Sequence, residues 1–596
     1  MCSQTTSQSD SQDNSQKPVI ITGYGGISAA GRSSGGHGFR RIIFNALSAQ
    51  KQQSTLRSLA QVMSLQDFDI TSKQNSDYLL DHSLIRQWDN IHWNANKVPF
   101  HSSFIDEQSQ TWWKLDYKKS AVQCAAQTPK GFDPALLYPS HHHPRGLQMA
   151  VYGASDAIQS MGMEWEDIQS QLEPDQIGVY AGAAMGQLSQ EGHGGMMQAP
   201  TLGKRTSSKQ CALGLAQMPA DFINAYVLGN VGATGTMVGA CATFLYNLKL
   251  ACDDIRSGKR RLVIVGTSEA PLEPEIVEGY NAMTALITEK KLRQLDGIDA
   301  TSEKNSEKET EFKQASRPFG DNAGFTLAES SQFFVLCDEK LTLELGLTVY
   351  GSIGDVFVHA DGYKKSISSP GIGNHITMAK AMAAAQKDLG REALCQGSYV
   401  HAHGSSTPQN RTTESEIFST LATAFGIKNW PITAIKAHLG HSLASASADQ
   451  LFTSLGAWSE GILPGITTTA KVADDVEQKN LRFLLQHEKF NPEVMPLTFL
   501  NAKGFGGNNA TAYIISPHQT KQRLKERLLK NADSVWQNYE YKNTTVIQQM
   551  EHYDLSMLKG EITPRYHFGK EVLDPSDLVI TDSEIHIRGH IHAIKL

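Results

Sequence analysis

Apolar runs and polar breaks alternate along this chain in the rhythm of strand and helix. "PVIITGYGGISAAGRSS" (18–34) predicts a short buried strand followed by a glycine-rich turn. "IGVYAGAAMG" (177–186) reads as a buried strand running into small residues, and "GACATFLYNLKLACDDIRSG" (239–258) as an apolar helix stopped by Gly258. "RLVIVGTSEA" (261–270) is again a fully apolar strand. Helices between strands that are apolar on both faces are the grammar of an α/β sheet. The second half repeats it, with "LTVYGSIGDVFV" as strand, "HITMAKAMAAAQKDLG" as helix and "GSYVHAHG" as strand. "PITAIKAHLGH" follows, then "MPLTFLNAKGFGGNNATAYIIS", two strands around a glycine loop. No repeat is evident in the residues themselves.

Polar or irregular stretches mark the boundaries. Residues 1–16 are rich in Ser, Gln and Asp, which predicts a disordered tail. Residues 45–150 are less regular and read as an insertion, and the charged segment 288–314 reads as an exposed loop. An N-terminal half to 340 and a C-terminal half over 341–518 precede an extension, 519–596. The extension holds a basic amphipathic helix ("TKQRLKERLLKNADSVWQNY") and a terminal β-pattern, and is expected to pack on the core and stabilise it.

Composition then removes several classes of function. With 61 acidic and 54 basic residues the net charge is −7, which gives no electrostatic case for nucleic-acid binding. Seven cysteines without paired spacing read as reduced thiols in a cytoplasmic protein. The N-terminus has no basic-then-apolar signal pattern, and no run of eighteen apolar residues predicts a membrane span. The Gly-x-Gly-Gly at 23–26 lacks a following helix and an acidic partner, so it is not read as a dinucleotide site. "HHH" at 141–143 reads as a surface loop. His590 and His592 lie two apart on one predicted strand face, but no further ligands are identifiable, so no metal is assigned.

The remaining candidates cluster at predicted strand ends. Cys241 stands at the first turn of an apolar helix. It is either a core filler or a nucleophile whose thiol the helix N-terminus acidifies. His403 ends an apolar strand in "HAHGSST", and Lys436 precedes His441 in "IKAHLGH". Each has a plain alternative: a satisfied hydrogen-bonding histidine, a solvated lysine, or, for Glu414, a helix-start carboxylate beside a Thr413–Glu416 capping box. Ligands in α/β sheets bind beyond the carboxyl ends of strands, which favours the functional reading.

Taken together, "GACATF", "HAHGSSTP", "KAHLGH", "GFGGNN" and "ASRPFGDNAGF" resemble, in order over about residues 17–518, the β-ketoacyl-acyl-carrier-protein synthases. The resemblance implies a thiolase-like α/β fold of two similar βαβαβ-type halves in layers. It implies a triad of Cys241, His403 and His441, with Lys436 and Glu414 fixing the orientation and protonation of His403. The backbone N–H groups of Cys241 and Phe505 would form the oxyanion hole, with Phe505 as gate. Ser405, Thr407, Met185, Gly506 and Gly507 would line the substrate. The implied reaction is decarboxylative condensation of an acyl primer with malonyl-acyl-carrier protein in fatty acid synthesis, in a homodimer. The implied cofactor is none beyond the phosphopantetheine that the substrate carries.

Departures are present as well. Arg411 replaces the family's aspartate, Ala328-Glu329-Ser330 replaces Gly-Asp/Glu-Gly, Ala444 and Ser447 replace glycines, and Lys503 replaces an aromatic. With the insertions and the "GYGGISAAGRSSG" start they resemble the FabY-type initiating branch, which implies acetyl-CoA as primer. Three alternatives stay open: an elongating or polyketide-type synthase taking longer primers, a non-catalytic chain-length partner, and a cysteine hydrolase. An acidic carrier protein needs a basic landing surface near the pocket. Lys259, Arg260 and Arg261 are poor candidates, about 25 Å along the helix from Cys241.

Overall fold

Val19–Ser28 is a single strand buried along all its length. The glycine-rich segment expected to turn therefore stays in the sheet, and packing explains it. Helix Arg145–Gln159 crosses so closely that a Cβ on Gly25 would sit 2.4 Å from the Ala157 backbone nitrogen. The computed structural model describes residues 17–65, 68–81, 84–88, 97–298, 309–528 and 532–596. The expected disordered tail at 1–16 lies outside the described residues.

One large sheet organises the molecule. From one edge it runs Thr234–Gly235, Ile177–Gly182, Leu262–Glu269, Ser330–Asp338, Val19–Ser28. From the other it runs Leu481–Phe483, Trp430–Thr433, Ser398–His401, Leu497–Gly504, Asn508–Ile515, Gly351–Ala360. Leaving out the extra edge strand 481–483, strands numbered within each half follow the same order, 3-2-4-5-1. Both halves carry parallel pairs at the outer strands and antiparallel pairs toward the middle. Antiparallel pairing of Val19–Ile21 with Gly351–Ile353 joins them. The backbone thus repeats where the residues do not, and the two expected halves of a thiolase-like α/β fold are present. Helices Thr243–Ser257 and Ala446–Glu460 follow the third strand of each half and pack against each other. Cys241 and His441 stand just before these two helices, so the repeat carries them to equivalent places.

The irregular regions are more ordered than their polarity predicts. Residues 45–150 include helices Ala49–Val62 and Lys73–Asp81 and the hairpin Lys97–Ile105/Thr111–Lys119. Helix Arg145–Gln159 crosses the expected boundary at 150 and belongs to the core. The segment read as a loop from 288 opens with a helix, Glu289–Leu295, capped by the Thr288 side chain; residues 299–308 lie outside the described residues. His141 and His142 are exposed, while His143 packs against Phe222 and Tyr566.

The extension is two helices, Pro517–Arg527 and Ala532–Leu558, rather than one. Leu524, Trp536 and Tyr539 pack on Ile20, Leu343 and Val349. Asp554 meets the buried Arg32 guanidinium and lies 3.0 Å from His37 Nε2, and the Tyr553 hydroxyl donates to Asp156 at 2.9 Å. His590 and His592 fall in the turn between strands Glu584–Ile587 and Ile594–Lys595, not on one strand face. Among the described residues no helix is long and apolar enough to cross a membrane.

Candidate active site

The strand Thr234–Gly235 leads into a tight turn, Ala240–Ala242, with Ala240 at φ +50°, before the helix begins at Thr243. Cys241 sits in that turn, 5 % exposed, packed with Val277, Phe325 and Leu443 and flanked by Met185 and Tyr280. The backbone N–H groups of Phe505 and of Cys241 itself act on its sulfur. The expected acidification does not follow. Burial pushes the thiol up to about 11, with the Glu269 carboxylate adding to it, against the pull of Lys436 and these two N–H groups.

Both histidines come from the C-terminal half, but only His403 stands at a strand end; the strand end expected for Lys436 and His441 is a short helix instead. His403 follows Ser398–His401, and His441 follows the short helix Lys436–Leu439. Their rings meet edge to face, centroids 5.3 Å apart. His403 Nδ1 receives the Lys503 backbone N–H at 3.4 Å and faces Lys436 Nζ at 3.3 Å. His441 Nδ1 receives the Leu443 backbone N–H at 3.2 Å. A backbone N–H only donates, so each Nδ1 carries a lone pair and each ring proton sits on Nε2. Burial and the neighbouring Lys436 charge hold both rings well below the ordinary histidine range, hence neutral. Lys436, which also bonds the His403 carbonyl, is itself pushed down to about 8 by burial.

Glu414 acts differently from the role implied for it. Fully buried, it takes the His403 and Gly404 backbone N–H groups at 2.6 and 2.8 Å and the Asn410 and Asn501 amides at 2.9 and 2.8 Å. It braces the main chain under His403, not the imidazole. The capping-box alternative fails as well: the helix starts at Pro408 with Thr407 as its cap, so Thr413 and Glu416 are interior.

Cys241, His403, His441 and Phe505 line one cavity of about 820 Å³, with Tyr280, Ser405, Thr407 and Gly506 on its wall. Phe505 is 40 % exposed at the rim. The turn that carries it needs Gly506 and Gly507 at φ +84° and +91°. The Ser405 and Thr407 hydroxyls lie 3.1 Å apart. Met185 packs against the apolar cluster that contains Cys241, and the Tyr280 hydroxyl donates to the Met185 sulfur at 3.5 Å. Of the residues proposed for the site, Lys436 and Glu414 stand behind His403, Met185 belongs to the apolar cluster around Cys241, and Gly507 supports the turn against Asp361; the others line the cavity.

Two of the departures, Arg411 and Lys503, find ordinary explanations. Arg411 turns away to Asp475 at 2.8 and 3.0 Å and to the Gly320 carbonyl at 2.9 Å. Lys503 keeps its backbone N–H on His403 and sends its ammonium to the Thr413 hydroxyl at 3.0 Å. Arg260 and Arg261 are engaged by Asp175, Asp254, Asp338 and Glu344. Sequence reasoning passed over Tyr280, Asn410, Asn501 and Glu269. The signal available for Glu269 was a carboxylate ending the fully apolar strand 262–269.

The fold and this cysteine–histidine cavity define a class of acyl-transferring enzyme, and comparison with known proteins agrees. The N-terminal domain of β-ketoacyl synthases matches residues 101–340 and the C-terminal domain matches 350–470. The β-ketoacyl-[acyl-carrier-protein] synthase FabY of Pseudomonas aeruginosa is 42 % identical, over 96 % of this chain and 97 % of its own. The crystal structure of that noncanonical ketosynthase superposes with a TM-score of 0.92 at 40 % identity, covering 98 % of both chains. The 3-oxoacyl-[acyl-carrier-protein] synthase 2 of Vibrio cholerae is 26 % identical over 64 % of this chain and 86 % of its own. The chain belongs to the β-ketoacyl synthase family and is a ketosynthase.

Proposed function

We propose that this ketosynthase initiates fatty acid synthesis, condensing an acetyl group from acetyl-CoA with malonyl-acyl-carrier protein. It does so as a cytoplasmic homodimer, with no metal or redox cofactor. The observation that carries the chemistry is the pair of neutral imidazoles presenting Nε2–H donors into the cavity that holds Cys241.

The Cys241 sulfur attacks the primer thioester, and its proton leaves with the departing thiol. The tetrahedral oxyanion forms where the Cys241 and Phe505 N–H groups converge, each donor worth about 3 kcal/mol in comparable sites. Malonyl thioester then loses carbon dioxide, and its bond electrons pass into an enolate whose oxygen accepts from His403 and His441 Nε2–H. Neutral donors suit this step, because they stabilise charge where it develops without first giving up a proton. The enolate carbon attacks the acyl-cysteine, and collapse expels the thiolate, which regains a proton.

A short primer is supported by the Tyr280 hydroxyl, on the cavity wall, meeting the sulfur of Met185, which packs on the apolar cluster that contains Cys241. A methionine can shorten a tunnel without sealing it. Acetyl-CoA, hexanoyl-carrier protein and dodecanoyl-carrier protein should be compared as primers, each with malonyl-carrier protein. Acetyl should turn over fastest. Faster turnover with dodecanoyl would reject the initiating role and leave an elongating synthase, since each buried methylene favours long chains by about 0.8 kcal/mol in an open tunnel.

A further inference from the structure

Glu269 is a buried carboxylate that the condensation chemistry does not use. It ends strand Leu262–Glu269, 1 % exposed, and has no cationic partner among its hydrogen bonds. Its oxygens instead take three backbone N–H groups from two separate loops. Oε2 accepts from Ala184 at 2.8 Å and from Ala444 at 3.2 Å, and Oε1 accepts from Met185 at 3.3 Å. Burial raises the carboxyl to about 7, against the pull of these three N–H groups. A buried acid held this way is costly unless the loops it joins need joining.

Those two loops do different work. Ala184 and Met185 leave strand Ile177–Gly182 and pack against the Cys241 cluster. Ala444 directly follows Leu443, whose N–H holds His441 Nδ1 and so sets the tautomer of that ring. Leu443 itself has φ +48°, a conformation disfavoured for a leucine that the surroundings must hold in place. One oxygen therefore fastens the loop packed on the Cys241 cluster to the turn that keeps His441 a donor.

We infer that Glu269 is a positioning residue that sets both primer length, through Met185, and decarboxylation, through the Leu443–Ala444 turn. The inference rests on the ketosynthase reading of the site.

The arrangement of the two oxygens makes the roles separable. A glutamine can keep its carbonyl on the shared Ala184–Ala444 side and turn its NH₂ against the Met185 N–H, so only the Met185 contact is lost. An alanine loses all three. Glu269→Gln and Glu269→Ala should be compared with the wild-type chain in two assays. One is carbon dioxide release from malonyl-carrier protein alone, and the other is acylation of Cys241 by acetyl against octanoyl thioesters, read by mass.

In Glu269→Gln the acetyl-over-octanoyl ratio should fall about threefold while carbon dioxide release stays within about twofold. In Glu269→Ala the ratio should fall as well, and kcat for carbon dioxide release should drop about tenfold with little change in KM. A residue that merely held the fold together would lower all rates in step and leave the primer ratio alone. Such a uniform loss, or an unchanged ratio in the glutamine variant, would overturn the inference. If the alanine variant fails to fold, the glutamine ratio decides alone. A wild-type chain that released no carbon dioxide would overturn the ketosynthase reading first, a distinct result.

Discussion

His403 and His441 stand edge to face, ring centroids 5.3 Å apart and planes at 84°, and each offers its Nδ1 to a backbone N–H. The donors are main-chain groups of Lys503, on the strand before the glycine loop, and of Leu443, in the turn after His441. Two main-chain groups thus decide what the two side chains can do. With Nδ1 occupied, neither ring can present a lone pair there, and both present a proton on Nε2. In the proposed reaction this makes the histidines donors to a developing oxyanion rather than resting-state bases.

The state of Cys241 gives a pH prediction. Because burial lifts the thiol to about 11, it is protonated at neutral pH and its thiolate fraction grows about tenfold per pH unit well below that value. Alkylation of Cys241 by iodoacetamide, followed by peptide mass between pH 6.5 and 8, should rise with that slope and show no plateau. A plateau near pH 7 would mean an acidified thiol and contradict this environment.

Glu414 supports His403 from below. Glu414→Ala would leave two buried backbone N–H groups and two buried amides without their acceptor. The expected loss is about 4 kcal/mol by urea unfolding, with a matching fall in condensation rate. A change under about 1 kcal/mol would show that water or a rearrangement replaces the carboxylate.

What the sequence revealed about this site follows from which contacts are local. Cys241, at the start of an apolar helix, and His403, Lys436 and His441, near the ends of apolar runs, were legible as candidates from their places, and the resemblance of the joint motifs favoured the functional reading. Glu414 was legible as a residue but not in its role, since its partners are backbone groups ten and eleven residues back, across the loop before its helix, and Asn501 far along the chain. Glu269 was visible only as a carboxylate at the end of an apolar strand, because its meaning lies in Ala184, Met185 and Ala444, which no local pattern connects to it. The two-fold repeat was hidden for a similar reason: equal strand order is fixed by packing, which many different residues satisfy. Glycines at 23, 25 and 26 misled in the opposite direction. Gly23 and Gly25 mark a close helix crossing and Gly26 a close approach to the backbone of the neighbouring strand at Ser331, where glycine usually signals a turn.

The extension should behave as part of the core. Asp554 is held well below the ordinary carboxylate range, by its bond to His37 and the Arg32 charge, despite partial burial. A depressed native pKa stabilises the fold fully above the unfolded value of about 4 and less as pH falls through the native one. Asp554→Ala should therefore cost about 3 kcal/mol at pH 7, because it removes a close partner of the buried Arg32 guanidinium. The gap from wild type should narrow toward pH 3, as read by chemical unfolding at both pH values. An equal gap at both would show that the ion pair is not its source.

The division of labour between cysteine and histidines is tested most directly by measuring carbon dioxide release and acyl-enzyme formation side by side in Cys241→Ala, His403→Ala and His441→Ala. Cys241→Ala should abolish condensation yet still decarboxylate malonyl-carrier protein, because the histidines act on the second substrate. Each histidine variant should still be acylated on Cys241 while losing most carbon dioxide release, about 3 kcal/mol or more than a hundredfold for a lost oxyanion donor. A histidine variant that cannot be acylated but decarboxylates normally would contradict the account.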